Sequence, residues 1–354
     1  MKSFASVRGK NQSFNHPAHK RRFPKYAERA NITFTDYVNN RSICDVNILS
    51  PAADLSFWSK IAETRKYNIL FDGNDPYLLG EKDTVLEIFR GLFKYLTGSH
   101  KYLELNYKKT YINLCSNANV VISGHKSQVD YLKNHRIKTF KIPDYSIDSK
   151  ILIKQNFELS HDGKIHIFWE GLGSSYKPFK LIEKIFITMP HRDRYIFHFV
   201  TDLEYFQYGD IFGKKNILKV AKYEAPIMFS QFKFYQWSEY MMNNIALACD
   251  ICLIPLPYDD SLNYWKPENK LIHMWRMGIP TIVTPIPSYF DVILESSNVK
   301  SFAFDIEDWR SIVTEVISNK LIRKSMSECG YEYTKDHYSN EAIDLLWQNA
   351  LNSL

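Results

Sequence analysis

The chain has 354 residues, with 45 Lys and Arg against 39 Asp and Glu, a formal charge of +6 and five Cys. That length exceeds one ordinary domain, so two of about 100–200 residues are expected. With 45% apolar and 24% charged residues, the composition excludes wholesale disorder and the collagen-like, coiled-coil and disulfide-framework classes.

The first residues, MKSFASVRGKNQSFNHPAHKRRF, lack the unbroken apolar core of about 7–15 residues that a signal peptide needs. No later segment approaches the roughly 18 apolar residues of a membrane span. The expectation is a cytoplasmic protein, in which the sequons at Asn11, Asn31 and Asn40 have no role. Val7-Arg8-Gly9-Lys10 reads as the end of a first strand with its loop. His16, His19, Lys20, Arg21, Arg22, Lys25 and Arg29, interleaved with Phe23 and Tyr26, form the most basic run. It reads either as a solvated helix face or as a contact to an anionic acceptor, such as a lipid-linked phosphate at a membrane surface.

Apolar strand-sized runs then alternate with amphipathic helical stretches. Cys44–Ser50 reads as a strand, Phe57–Lys66 as a helix and Tyr67–Phe71 as a strand ending in Asp72-Gly73-Asn74-Asp75-Pro76. Asp72 and Asp75 there are candidates to hold an acceptor or act as a base, while Gly73-Asn74 reads as Asx-turn chemistry. Thr84–Leu96 is amphipathic, Tyr107–Cys115 helical, Ala118–Ser123 a strand, Ser127–Asn134 a helix and Thr139–Ile142 a short strand. His125 follows a strand and reads as facing a cleft or as a surface histidine.

A polar stretch over 146–162 marks a boundary, and the pattern restarts after it. Lys164–Trp169 is a strand followed by Glu170-Gly171-Leu172-Gly173 and a helix from Phe179 to Ile187. Tyr195–Val200 is a strand ending in Thr201-Asp202, Ile227–Phe232 a short strand and Ser238–Ala248 a helix. Ile251–Pro255 is a strand, Asn269–Met277 a helix, Thr281–Thr284 and Phe302–Phe304 strands, and Trp309–Ile317 a helix before a helical C-terminus. Cys249 and Cys252 spell CxxC, but without a second pair they read as small buried thiols.

This alternation predicts an α/β fold of two facing, doubly wound parallel-sheet domains with the active-site cleft between them. The expected bounds are 1–150, 151–335 and a C-terminal helix over 336–354 that returns toward the first domain. The most informative stretch runs from Pro255 to Tyr289 as strand, polar loop, helix, Gly turn and strand. Its loop brings Lys266, Glu268, Asn269 and Lys270 to a helix start. Helix N-termini carry free N–H groups and partial positive charge, so they suit phosphates. Gly278 fits the helix C-cap, and Pro280 cannot continue the helix. The alternative is an ordinary βαβ connection with a solvated Lys pair. Asp259-Asp260 reads as a solvated loop rather than a metal site.

Pro267, Asn269-Lys270-Leu271, Met274, Gly278, Pro280 and Ile282 resemble the donor-binding signature of group 1 (family 4-like) glycosyltransferases of the GT-B fold. Asp250–Leu256, Phe168-Trp169-Glu170-Gly171 with Lys177-Pro178, and Tyr195–Asp202 resemble the surrounding strands and phosphate loop. The resemblance implies transfer of a sugar from a nucleotide-diphosphate sugar, UDP- or GDP-linked, to a glycan, lipid-linked or other hydroxyl acceptor. It implies retention of configuration and no metal, with Lys177, Lys270 and Lys266 neutralising the diphosphate. Glu170, Gly171, Asp202, Trp237, Glu268, Asn269 and His273 are then the donor contacts, and Asp75 and His125 the acceptor-side candidates. A base pocket between Thr201-Asp202 and Phe232–Trp237 fits that layout, and Tyr205, Phe206 and Tyr208 could stack base or sugar.

The departures are local. His273 stands where the family places a Glu for the donor ribose, and Trp265 where it places the first Glu of a pair. Rival readings are a GT-B nucleotide-sugar 2-epimerase and a non-catalytic member that binds a glycan or a partner.

Overall fold

The computed structural model describes residues 2–10, 13–14, 17–38, 42–74, 78–79, 84–145, 152–206, 213–257 and 264–354, apart from the side chains of 17, 18 and 84–87. Contacts divide the chain into two units. One comprises Met1–Ser146, Trp265–Pro267 and His337–Leu354, and the other Ile147–Tyr264 and Glu268–Asp336.

In the first unit the described strands are β1 (Phe4–Arg8), β2 (Thr35–Val38), β3 (Val46–Leu49), β4 (Asn68–Asp72), β5 (Val120–Ser123) and β6 (Thr139–Lys141). They pair in parallel in the order β2-β1-β3-β4-β5-β6. The described helices are α1 (Pro17–Lys20), α2 (Phe23–Arg29), α3 (Leu55–Glu63), α4 (Thr84–Leu96), α5 (Tyr107–Asn117) and α6 (Lys126–Asn134). Side-chain caps start two of them: Asp54 accepts from the Phe57 N–H, and Asn106 from the Lys109 N–H.

Strand period sorts the core. Leu49, Ile69, Phe71 and Val121 pack with Trp58, Tyr111 and Leu114 of α3 and α5. Ile48, Leu70, Val120 and Ile122 point to the other face, against Phe23 and Tyr26 of α2 and Trp347 of the C-terminal helix Asn340–Asn352. Two covered faces are what an all-parallel sheet requires. Strand β2, missed by the sequence reading, is the half-exposed edge.

The second unit has β7 (Ile165–Glu170), α7 (Lys177–Phe186), β8 (Tyr195–Thr201), the antiparallel pair β9 (Glu204–Phe206) and β10 (Lys214–Asn216), α8 (Ile217–Glu224), β11 (Phe232–Gln236), α9 (Glu239–Ala248), β12 (Ile251–Ile254), α10 (Asn269–Arg276), β13 (Thr281–Val283), α11 (Pro287–Glu295), α12 (Ile306–Ser318) and α13 (Lys320–His337). Its main parallel sheet has the order β11-β8-β7-β12-β13. Helix α10 ends as Gly278 predicts: Gly278 has φ +65°, and the Ile279 N–H reaches back to the Met274 carbonyl.

Two strand expectations shift. Residues 227–231 are not a strand, because the Ile227 and Met228 N–H groups donate to the Glu183 carboxylate (2.8 and 3.1 Å) instead of a ladder. Phe302 makes a single parallel bridge to Val283. Cys115, Cys249 and Cys252 are buried free thiols, each pushed up by burial.

One sheet face of the second unit carries a polar chain. His166 Nδ1 lies 2.8 Å from His198 Nε2, and His198 Nδ1 lies 3.0 Å from the Tyr235 hydroxyl. Burial, then His166 and Lys233, push His198 down to about 4. An unfolded histidine titrates near 6.5, so between about pH 6.5 and 4 the unfolded chain binds a proton that the folded chain refuses. Stability falls as pH is lowered through that window. His198 keeps partial solvent access, so the loss is on the order of 1 kcal/mol. Urea unfolding at pH 7 and 4.5 should show the drop, and His198→Asn should flatten it. The same drop in both proteins would remove His198 as its cause.

Candidate functional site

In the second unit the strand order reverses between β7 and β12. Chains leaving the carboxyl ends of two such strands turn opposite ways and leave a crevice, the usual ligand position in open α/β sheets. Glu170-Gly171-Leu172-Gly173 leaves β7 there. Lys270, in the first turn of α10, reaches it: Nζ donates to the Glu170 carbonyl at 2.8 Å and lies 3.8 Å from Glu170 Oε2. The same ammonium sits 5.3 Å from the centre of the Trp169 ring. Trp237, just past β11, donates its indole N–H to Glu170 Oε1 at 3.2 Å. Asp202, just past β8, accepts from the Gly173 N–H at 3.4 Å.

Two glycines are obligatory. A Cβ on Gly171 would stand 2.4 Å from Trp169 and 3.0 Å from Lys270 Nζ. One on Gly173 would stand 2.8 Å from the Asp202 carbonyl oxygen. The loop therefore offers bare backbone beside a fixed cation, a surface that suits a close-lying anion.

The structure thus brings together Glu170, Gly171, Asp202, Trp237 and Lys270. Asn269 opens α10, and the side chain of its N-cap residue, Glu268, makes no capping bond. Glu268 is buried, and it joins burial in pushing the Tyr289 phenol up. His273 is buried on α10, with Nε2 3.4 Å from Asn243 Oδ1. Asn243 carried no signal in the sequence beyond its place on a helix. Lys177 is exposed at the first position of α7, a helix that starts two residues before the Phe179 expected from the sequence.

Trp265–Pro267, and with them Lys266, cluster with the first unit, where the Trp265 ring lies 6.1 Å from His125. His125 is fully buried, which corrects the surface reading. Asp75, Asp259, Asp260 and Tyr208 lie outside the described residues. Of the other candidate rings, Tyr205 and Phe232 are buried in the hydrophobic core, and Phe234 packs against it.

In the first unit the carboxyl ends of β4, β5 and β6 carry a second polar cluster. Arg22 Nε and Nη2 grip Asp72 at 2.9 and 2.6 Å, and Nη1 donates to the Ile142 carbonyl (2.7 Å) and to Asp144 (3.1 Å). Arg22 is 2% exposed. Gln128 donates to the Gly73 carbonyl at 2.7 Å. Beside β1, Arg8 pairs with Asp36 at 2.9 Å. The basic run is therefore neither a solvated face nor an open anion contact at Arg22, and Arg29 is paired with Asp344 at 2.9 Å. Asp72, bound at both oxygens, is held as a structural carboxylate rather than a base. Asp144 and Gln128 were missed, although both follow strand ends.

Among the described residues no group of three or more His, Cys, Asp or Glu side chains is placed to hold a metal ion, and no helix is long and apolar enough to cross a membrane.

No protein-family model matches the chain, and no curated protein matches it. Solved structures do. HepE (Alr3699) of Anabaena, crystallised with UDP and glucose, matches over 100% of both chains at TM-score 0.66 and 10% identity. The chain has the GT-B fold. GT-B likeness extends to Staphylococcus aureus TarM, crystallised with fondaparinux, alpha-GlcNAc-glycerol and UDP (TM-score 0.55, 12% identity), over 86% of this chain and 55% of TarM. A putative UDP-N-acetylglucosamine 2-epimerase of Listeria monocytogenes matches over 98% of this chain and 97% of its own at TM-score 0.52 and 10% identity.

Proposed function

We propose that the chain is a glycosyltransferase that takes a sugar from a nucleotide-diphosphate sugar, with UDP-sugars the first class to test. The observation that carries this is the meeting of Lys270, Glu170, Gly171 and Trp237 at the β7/β12 reversal. Breaking a sugar–phosphate bond builds negative charge on the diphosphate, and a preorganised ammonium beside a glycine loop that a diphosphate can approach closely is what that charge needs. Lys270 takes the diphosphate, Lys177 and the α10 N-terminus assist, Trp237 and Asp202 border the nucleoside, and Glu268 or His273 holds the ribose. The acceptor is a glycan, lipid-linked or other hydroxyl compound on the first unit, with Asp75 and His125 the residues to test. Transfer is retaining and metal-independent in this reading, which belongs with cell-surface polysaccharide or glycoconjugate synthesis in the cytoplasm.

UDP comes first because HepE and TarM were both crystallised with it. The match to the Listeria protein supports a second reading, a 2-epimerase of the same fold. One panel separates them. UDP-, GDP-, ADP- and CMP-sugars are incubated with the protein, and thermal stabilisation, donor hydrolysis and sugar interconversion are measured. Stabilisation with slow hydrolysis supports transfer, and interconversion supports epimerisation. No shift with any nucleotide would sink both.

A further inference from the structure

The second unit holds a groove away from the donor loop, between the extended segment 152–157 and one face of α13. Its volume is about 550 Å³, within the roughly 300–1,000 Å³ of small-molecule sites. Both walls are tied to the carboxyl end of α10. The Lys154 N–H donates to the Met277 carbonyl at 2.9 Å, and Ser327 Oγ to the Gly278 carbonyl at 2.7 Å. Lys270 lies in the first turn of the same helix, so the groove and the donor loop stand at its opposite ends. Buried Arg323 locks one wall to the other, because its Nε and Nη2 donate to the Phe157 carbonyl at 3.0 and 2.7 Å. Walls set before a ligand arrives lose little freedom on binding it.

The lining is half apolar and half polar. Ile153, Phe157 and Tyr331 offer carbon surface, while Gln155, Asn156 and Glu328 offer donors and acceptors. Asn156 Oδ1 accepts the Glu158 N–H at 2.9 Å, so its amide N–H groups are the end left for a ligand. The cations are already matched. Lys154 Nζ donates to the Leu247 and Cys249 carbonyls at 3.1 and 2.8 Å, Lys320 pairs with Glu158, and Lys324 lies 3.5 Å from Glu328. An anionic ligand would have to draw these lysines from their partners, and a neutral one need not.

We propose that this groove binds a short neutral oligosaccharide, as a holding site apart from the donor loop. A sugar ring has apolar C–H faces and a rim of hydroxyls, so it meets both halves of the lining. The faces lie against Tyr331 and Ile153, and the hydroxyls exchange hydrogen bonds with Gln155, Asn156 and Glu328. A nucleotide is the poorer occupant, because its phosphates would compete with Glu158 and Glu328 for the lysines. A glycan held there stays on the protein whatever occupies the donor loop, so the proposal does not depend on the donor reading above.

The test is isothermal titration of the full chain with maltotetraose, cellotetraose and chitotetraose, alone and in the presence of UDP. Saturable binding of at least one is expected, as strong at high salt as at low and not displaced by UDP. Tyr331→Ala should weaken it about tenfold, the loss of one stacking ring. Gln155→Ala/Asn156→Ala should weaken it by a similar factor, and since both residues are exposed the melting temperature should not move. No saturable binding of any of the three would overturn the proposal. So would binding that both variants leave intact, and so would displacement by UDP, which would place the sugar in the donor crevice.

Discussion

Replacing Lys270 by Ala is expected to lower kcat/KM for the sugar donor by about 100- to 1000-fold, the usual effect of removing one preorganised charge-stabilising donor. The ammonium is fixed before substrate arrives, held by the Glu170 carbonyl at 2.8 Å and by the Trp169 ring face. That geometry concentrates its effect on the step that builds charge. Truncation does further harm, because Glu170 Oε2, now 3.8 Å from the ammonium, would face an incoming diphosphate uncompensated. Lys270→Arg keeps the charge on a bulkier head and should lose about tenfold or less. The side chain is 34% exposed, so melting should move little. Initial rates against donor concentration, with melting curves for both variants, check this. Full turnover in Lys270→Ala would remove Lys270 from the phosphate role. Lost turnover with a melting drop of several degrees would make the residue structural.

The fold was legible because its signals are short-range. KIHIFW and YIFHFV are apolar enough to be strands buried on both faces, and Gly278 and Pro280 punctuate a helix end through backbone preference alone. The Glu170–Lys270 contact spans 100 residues, yet both ends carried local signals: a Gly-rich turn after a strand, and a cation at a helix start. Other features had no such signal. Edge strand β2 reads Thr-Asp-Tyr-Val with little alternation, since one side of it meets solvent.

The abundant aromatics were read partly as stacking surfaces, but in the second unit many form the core. Phe179 meets Phe199 edge-on with ring centres 4.8 Å apart, and Phe232 meets Phe197 at 5.5 Å and Phe199 at 4.8 Å. Ring chemistry is the same in both uses, so composition cannot separate them. The basic run shows the same limit. Lysine and arginine at helical spacing look alike on a solvated face and over a buried acid, and only tertiary placement put Asp72, 50 residues away, against Arg22.

That placement makes Arg22→Met the largest stability loss expected in the first unit, about 3–5 kcal/mol, the range for breaking a buried ion pair from one side. Arg22 donates four hydrogen bonds, to Asp72, Ile142 and Asp144, and the Trp347 ring lies 5.6 Å from its guanidinium carbon. Burial opposes its charge, but the two carboxylates more than offset this and hold the guanidinium above its ordinary range. Methionine would fill most of the volume and leave Asp72 without its Arg22 cation and Asp144 with the Arg21 guanidinium at 3.7 Å, both carboxylates shielded from water. Their desolvation, rather than a cavity, is the larger cost. Removing the acids as well should therefore recover much of the loss: Arg22→Met/Asp72→Leu/Asp144→Leu is expected to be more stable than Arg22→Met alone. Urea unfolding of the four proteins (parent, Arg22→Met, Asp72→Leu/Asp144→Leu and the triple variant) gives the coupling directly. If Arg22→Met instead unfolds like the parent and loses only acceptor affinity, the cluster is a binding site, and the reading of the run as an anion contact regains its ground.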